Sequence, residues 1–76
     1  MTRQELVSIL EYKNVPNGIY SLDGLKEGEC LCINPHDGVW DVIYNNRGKI
    51  TYKEVFTNEE SAYDRFYQIM KDDYGW

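Results

Sequence analysis

Two cysteines and the single histidine are the side chains best suited to chemistry, in the pattern Cys30-x-Cys32-x-x-x-His36. Structural zinc sites commonly use four ligands and separate paired cysteines by about two to four residues. This pattern supplies three ligands and separates its cysteines by one residue. We therefore interpret Cys30 and Cys32 as small apolar residues of a strand, reduced and without a disulfide, and expect no metal ion or other cofactor.

The sequence also lacks clear signals for a catalytic nucleophile, a catalytic carboxylate pair or a phosphate-binding loop. A cysteine nucleophile needs a base and usually a third group that orients the base, and no such group is evident near His36. A pair of catalytic carboxylates needs a cleft, which a chain of this length has little room to form. The glycines occur singly and form no phosphate-binding loop. The sequence therefore predicts a protein that is not an enzyme.

Acidic residues outnumber basic ones by 13 to 8, which gives a formal net charge of −5. This balance disfavours nucleic acid and anionic membranes as partners, because both are bound by Lys and Arg. It suits a basic protein partner, although a negative charge also simply keeps a protein in solution. Carboxylates that cap the last helix, such as Glu59 and Glu60, have a local explanation in the helix dipole. The loop carboxylates have none, so we take them as candidate partner-binding residues: Asp23, Glu27, Glu29 and Asp37.

The 76 residues predict one domain, residues 1–76, with a modest core. Aromatic residues make up 14% of the chain, and they serve either a small core or a protein interface. No signal peptide and no apolar run of about 20 residues is visible. We therefore expect a cytoplasmic protein.

Helices are predicted at both ends of the chain. Thr2 and Glu5 form a capping box before a helix from about Gln4 to Tyr12, with Pro16 beyond its end. A second capping box, Thr57 to Glu60, opens the last helix. Its apolar side chains recur at helical spacing and predict one buried face with Tyr63 at its edge: Ala62, Phe66, Ile69 and Met70. Residues 73–76 are predicted to form a tail.

Four strands are predicted between the helices: Ile19–Leu22, Glu29–Ile33, Val39–Asn45 and Lys49–Phe56. Turn residues separate them, including the cluster Asn34–Gly38. Short connections favour antiparallel pairing, and one face of such a sheet must be covered. The predicted fold class is therefore α+β, with an antiparallel sheet of about four strands and both helices packed on one face.

The segment Asn45-Asn46-Arg47-Gly48 predicts a hairpin with a three-residue loop. Val42 would then lie opposite Tyr52, and Asp41 opposite Lys53 as a favourable cross-strand pair. This register predicts one apolar sheet face: Trp40, Val42, Tyr44, Ile50, Tyr52 and Phe56. Asp41 falls on the other face, which is expected to be exposed, and we add it to the candidate partner-binding residues.

Three segments carry a resemblance to a known family: Tyr20-Ser21-Leu22-Asp23-Gly24, Trp40-x-Val42-x-Tyr44-x-x-Arg47-Gly48 and Phe56-x-x-Glu59-Glu60-x-Ala62. They resemble small bacterial immunity proteins encoded beside polymorphic or contact-dependent toxins, over roughly residues 15–66. The resemblance implies a cytosolic antitoxin that binds a cognate toxin domain and blocks it stoichiometrically. Asn46 stands where an acid often precedes the Arg-Gly pair, and Tyr63 where Cys is frequent. These departures leave the toxin class open.

Two function hypotheses follow. The first is an immunity protein whose acidic surface occludes a toxin active site. The toxin would be a basic nuclease or, alternatively, an enzyme that hydrolyses nicotinamide cofactors. The second is an acidic interaction module, or nucleic-acid mimic, that inhibits a DNA- or RNA-binding protein. Both predict a protein partner, with no nucleic acid, membrane or small molecule bound.

Overall fold

The chain forms a four-stranded sheet with two helices on one side of it, in a computed structural model that describes residues 1–75. The elements follow in the order α1 (Arg3–Tyr12), a 3₁₀ turn (Asn17–Ile19), β1 (Tyr20–Ser21), β2 (Glu29–His36), β3 (Val39–Asn46), β4 (Lys49–Phe56) and α2 (Glu59–Tyr74). The sheet order is β1-β2-β3-β4. The predicted α+β class is confirmed.

The sheet is mixed. The pairs β2–β3 and β3–β4 are antiparallel, as expected, but β1 runs parallel to β2, with Tyr20 opposite Leu31. Antiparallel pairing is therefore wrong for β1. The physical reason is that residues 22–28 bend twice, at Gly24 (φ 112°) and Gly28 (φ 92°), and return the chain to the start of β2 instead of forming one hairpin.

Helix α1 begins as its capping box predicts. Thr2 Oγ1 accepts a hydrogen bond from the Glu5 N–H at 3.2 Å, and Glu5 Oε1 accepts one from the Thr2 N–H at 3.1 Å. Leu6 and Leu10 are buried, one helical turn apart. They attach this helix to the core.

Helix α2 is capped by Asn58, whose side chain accepts a hydrogen bond from the Ser61 N–H at 3.1 Å. The predicted cap at Thr57 is therefore one residue early. The predicted buried face is confirmed. The helix continues through Tyr74 and ends at Gly75 in a left-handed conformation (φ 74°), so the first two residues of the expected tail, Asp73 and Tyr74, are helical. Trp76 lies outside the described residues, and within residues 1–75 no helix has the length and apolar character that a bilayer crossing requires.

The core lies between the sheet and the helices. Helix α2 contacts β2, β3 and β4, and α1 packs against α2. Phe66 is at the centre of α2, fully buried, and its ring meets that of Tyr20 edge to face with centroids 6.3 Å apart. The buried residues of this cluster are Leu6, Leu10, Val15, Leu22, Leu31, Ile33, Val42, Ala62, Tyr63, Phe66, Ile69 and Met70.

The β3–β4 hairpin has a two-residue loop, so the predicted three-residue loop is wrong. Arg47 (φ 54°) and Gly48 (φ 91°) both have positive φ, as in a type I′ turn, and Asn46 pairs with Lys49. A bulge between Tyr44 and Asn45 then shifts the register.

The new register changes which side chains share a face. Tyr44 lies opposite Tyr52, and Val42 opposite Glu54. Ile50 lies opposite Asn45, away from the helices, and is 48% exposed, so its predicted place in the core is wrong.

The β2–β3 hairpin is also tighter than predicted. Strand β2 extends through Pro35 and His36, and the turn consists of Asp37 and Gly38, both with positive φ. Strand β1 pairs with β2 only as far as Cys32. Pro35 therefore stands where β2 has a neighbour on one side only, a position at which proline is tolerated.

Asn45 joins two loops at the end of the sheet near Gly48. Its Nδ2 donates to the Lys26 carbonyl at 2.9 Å, and its Oδ1 accepts from the Gly48 N–H at 3.0 Å. The residue is only 7% exposed. Residues 22–28 are thereby held against the sheet face opposite the helices.

We expect Asn45→Ala to lower the free energy of unfolding by about 1–3 kcal/mol, because it leaves a carbonyl and an N–H without partners. Chemical denaturation checks this, with exposed Asn46→Ala as the control. An Asn45→Ala loss no larger than that of the control would contradict the bridging role.

Candidate partner-binding site

The five acidic residues predicted to bind a partner do not form one surface. Glu27 and Glu29 lie beside the β3–β4 hairpin, where the Gly28 carbonyl accepts from the Arg47 N–H. Asp37 lies in the turn at the opposite end of β2. At the rise of a strand, the ends of this eight-residue strand are about 23 Å apart. A single contact patch therefore cannot have both ends of β2 near its centre.

Asp23 is exposed but already has a partner. Arg3 Nη2 donates to its carboxylate at 2.9 Å, and Arg3 Nη1 donates to the Leu22 carbonyl at 3.4 Å. The Arg3–Asp23 ion pair thus links α1 to the loop that follows β1. Asp23 is therefore better explained as a structural residue than as a partner contact.

Asp41 is buried, with 2% of its surface exposed, so the expectation that it lies on an exposed face is wrong and it does not present a surface for direct contact. It lies between Asn34 and Val55 of the adjacent strands. Its Oδ2 is 2.6 Å from His36 Nε2 and 3.8 Å from Lys53 Nζ. Lys53 reaches it diagonally, because the bulge places Val55, not Lys53, opposite Asp41.

The hydrogen bond to Asp41 raises the pKa of His36 above its ordinary value of 6.5, and Asp37, 3.5 Å from His36 Nδ1, adds to the effect. The folded state thus binds the proton more tightly than the unfolded chain. The stabilisation from His36 is fully present below pH 6.5 and is lost as the pH rises through the folded pKa.

We therefore expect the stability difference between the native chain and His36→Gln to be larger at pH 5.5 than at pH 8.5. Urea denaturation at the two pH values measures it. Equal differences at both would contradict the ion pair.

Cys30 and Cys32 are buried on the sheet face opposite the helices. Residues 22–28 cover them, and Cys30 Sγ lies 3.4 Å from the Gly18 carbonyl and 3.5 Å from the Glu27 carbonyl. Burial raises the pKa of the Cys32 thiol. Four residues along the strand separate Cys32 from His36 by about 13 Å, and within residues 1–75 no three metal-binding side chains cluster.

A cleft not predicted from the sequence lies between the second half of α2 and the sheet, beside Glu29. Its volume is about 570 Å³, and it is open on one side. We call it the acidic cleft, and its lining residues are Glu29, Leu31, Tyr44, Thr51, Tyr52, Arg65, Ile69, Asp73 and Tyr74.

Two tyrosines form one wall of the acidic cleft. The rings of Tyr44 and Tyr74 are stacked, with centroids 6.2 Å apart and planes at 27°. Tyr44 donates a hydrogen bond to Glu29 Oε1 at 2.6 Å, which raises the pKa of Tyr44 and keeps it protonated. Burial raises the pKa of Tyr74, the neighbouring Tyr44 side chain opposes this effect, and the carboxylates of Glu29 and Asp73 add to it. The Tyr74 hydroxyl is buried yet makes no hydrogen bond to residues 1–75.

Arg65 lies on the opposite wall, where its charge is compensated. Its Nε donates to the Tyr52 hydroxyl at 3.2 Å and lies 3.4 Å from Glu54 Oε1. Tyr52 in turn donates to Glu54. Glu54 thus offsets the positive charge of Arg65, and Glu29 and Asp73 leave the described lining of the cleft net negative.

The helical spacing of Arg65, Ile69 and Asp73 could have indicated a shared face of α2. The sequence pattern places Tyr44 and Tyr52 on the apolar face of the sheet, and Tyr74 in a tail. No sequence pattern links these three tyrosines.

Comparisons with protein-family models, curated proteins and solved structures return no match for this chain.

Proposed function

We propose that this chain is an immunity protein, which binds a cognate bacterial toxin domain and blocks it stoichiometrically in the cytosol. The observation that carries the proposal is the acidic cleft, a tyrosine-lined depression with uncompensated carboxylates. The sequence resemblance and the net charge of −5 support it. The resemblance supports the class of protein, and the cleft supports the location of the binding surface.

The acidic cleft has the composition of an interface centre. Tyrosine is enriched among the residues that contribute most to protein binding, and such residues sit in pockets that exclude water. The rings of Tyr44 and Tyr74 are held by stacking and by the hydrogen bond to Glu29. A wall ordered before binding loses little side-chain entropy when a partner docks.

A binding role is favoured over catalysis by the placement of the reactive side chains. Cys30 and Cys32 are fully buried. His36 is engaged by Asp41 on the sheet face opposite the helices, whereas the acidic cleft lies on the helix side. The cleft residues themselves are tyrosines, carboxylates and a paired arginine, an arrangement suited to recognition.

Two of the predicted contact residues, Glu27 and Glu29, retain the proposed role, because both are exposed at the end of the sheet that holds the cleft. Asp37 is exposed at the other end and would act only at the margin of a large interface. An acidic surface suits a toxin with a basic substrate site, such as a nuclease, better than a hydrolase of nicotinamide cofactors.

The nucleic-acid mimic is less well supported. Its surface would be the first turns of α2, where Glu59, Glu60 and Asp64 are exposed. However, the amino group of Met1 lies 2.6 Å from Asp64 and 4.0 Å from Glu60, which offsets part of their charge. The negative potential that a basic partner would meet at the start of α2 is therefore weaker.

Coexpression tests the proposal. The chain is produced together with the toxin domain encoded immediately upstream of its gene, and cell growth and copurification are measured. We expect growth to be rescued and a one-to-one complex to be recovered. Continued toxicity without a complex would contradict the immunity assignment.

Charge-neutralising variants locate the surface. We expect Glu27→Gln with Glu29→Gln to weaken rescue, and Glu59→Gln with Glu60→Gln, a matched change of two charges, to leave it intact. The reverse result would favour the α2 surface and the mimic hypothesis.

A further inference from the structure

The geometry points to the acidic cleft as a receptor for an arginine side chain that the partner protein inserts between Tyr44, Tyr74 and the carboxylates of Glu29 and Asp73. The identity of the partner rests on the proposed function. The chemistry of the site does not, because it follows from the lining residues alone.

The charge of the cleft selects a cation. Arg65 is balanced by Glu54, whereas Asp73 makes no hydrogen bond or ion pair within residues 1–75. Among the residues that the structure describes, Glu29 is engaged only by the neutral hydroxyl of Tyr44, through one oxygen. Glu29 and Asp73 therefore bring two exposed carboxylates to the same cleft, where their negative charges attract a cation.

An unsatisfied polar atom adds an independent reason. The hydroxyl of Tyr74 is buried and has no hydrogen-bond partner within residues 1–75. A buried polar group without a partner costs stability, and native structures contain few of them. This oxygen is enclosed in the unbound chain, so the Tyr74 ring has to shift before a ligand donor in the cleft can satisfy it.

The arrangement of these acceptors favours arginine over lysine. A guanidinium group is planar, stacks on aromatic faces and presents five N–H donors in several directions. Glu29 and Asp73 are separate acceptors beside the stacked rings, which suits a guanidinium that stacks on a ring and donates in several directions. An ammonium group is a compact point charge that matches one carboxylate better than a spread set.

The size of the cleft favours a side chain carried by a protein. Its volume of about 570 Å³ is within the ~300–1,000 Å³ range of ligand pockets and exceeds what one side chain fills. The open side leaves room for the residues that flank the arginine. The negative charge of the whole chain would also speed the approach of a basic partner.

A titration with blocked amino acids tests the site without any toxin. N-acetyl-arginine methylamide is added to the ¹⁵N-labelled chain, and amide shifts are followed by NMR. The neutral isostere N-acetyl-citrulline methylamide and blocked lysine serve as comparisons. We expect saturable shifts at residues 44, 52, 65, 73 and 74 with arginine, weaker binding of lysine and none of citrulline. No cleft shifts with arginine, or equal shifts with citrulline, would overturn the proposal.

Matched variants confirm the place of binding. We expect Asp73→Asn to weaken the binding of blocked arginine about tenfold, as the loss of one charge-assisted contact implies. Asp72→Asn removes the same charge from the adjacent exposed position, which does not line the cleft, and should leave the affinity unchanged. Equal effects of the two variants would overturn the site assignment and indicate general charge attraction.

Failure of this inference is distinguishable from failure of the proposed function. If the toxin complex forms with full affinity in Asp73→Asn, the chain is an immunity protein and the arginine receptor is wrong. If blocked arginine binds in the cleft but the upstream toxin neither binds nor is neutralised, the receptor stands and the toxin assignment fails.

Discussion

Phe66→Ala is expected to lower the free energy of unfolding by about 3–5 kcal/mol. Phe66 is completely buried at the centre of α2, and its ring meets Tyr20 of the short strand β1. Truncation removes the apolar area of the ring and leaves a cavity between helix and sheet. A domain of this length has a total stability of roughly 4–11 kcal/mol, so the variant should be close to unfolding.

Chemical denaturation followed by circular dichroism measures this effect. The control is Tyr12→Ala, since Tyr12 is 86% exposed and its removal should change the stability by less than about 0.5 kcal/mol. A Phe66→Ala loss below about 1.5 kcal/mol would contradict a core centred on this residue.

Glu29→Gln combined with Asp73→Asn is expected to weaken binding of the toxin domain by about 10–100-fold. The pair supplies the uncompensated negative charge of the acidic cleft, and each side chain is exposed, so the fold should be retained. Calorimetric titration of the purified toxin domain with the variant and the native chain gives the affinity ratio.

The control for this double variant is Glu59→Gln combined with Asp72→Asn. It also removes two charges from exposed positions, one of them beside Asp73, but neither residue lines the acidic cleft. We expect its affinity to change less than about threefold, in line with screened surface charges. Equal losses in both double variants would contradict a local role for the cleft.

The helices and their buried faces could be predicted because their causes are local. The capping box of Thr2 and Glu5 satisfies helix-end N–H groups within one turn. The spacing of Ala62, Phe66 and Met70 follows the helical period and is visible without knowledge of the fold. These elements determined the α+β class.

The strand register depended on information that short patterns do not carry. Asn45 bonds simultaneously to Gly48 in its own turn and to Lys26 in a distant loop. The second contact accompanies a bulge that reverses the orientation of Ile50 relative to the predicted register. The parallel course of β1 has a similar origin, because the return of residues 22–28 involves contacts with two other strands.

The candidate site was the hardest feature to predict, since its parts come from β2, β3, β4 and the end of α2. The alternation of side chains along β3 predicts an exposed Asp41. In the structure, His36 and Lys53 lie against its carboxylate, and only 2% of the residue is exposed. Burial of this kind depends on cross-strand neighbours, which the register determines.

Hydrogen exchange on the complex with the toxin domain tests the proposed surface most directly. We expect slowed amide exchange at residues 44–52 and 65–75, which surround the acidic cleft, relative to the free chain. Residues 36–39, in the turn at the opposite end of the sheet, should exchange at an unchanged rate. Slowed exchange confined to that turn or to the first turns of α2, residues 59–64, would contradict the acidic cleft as the binding site.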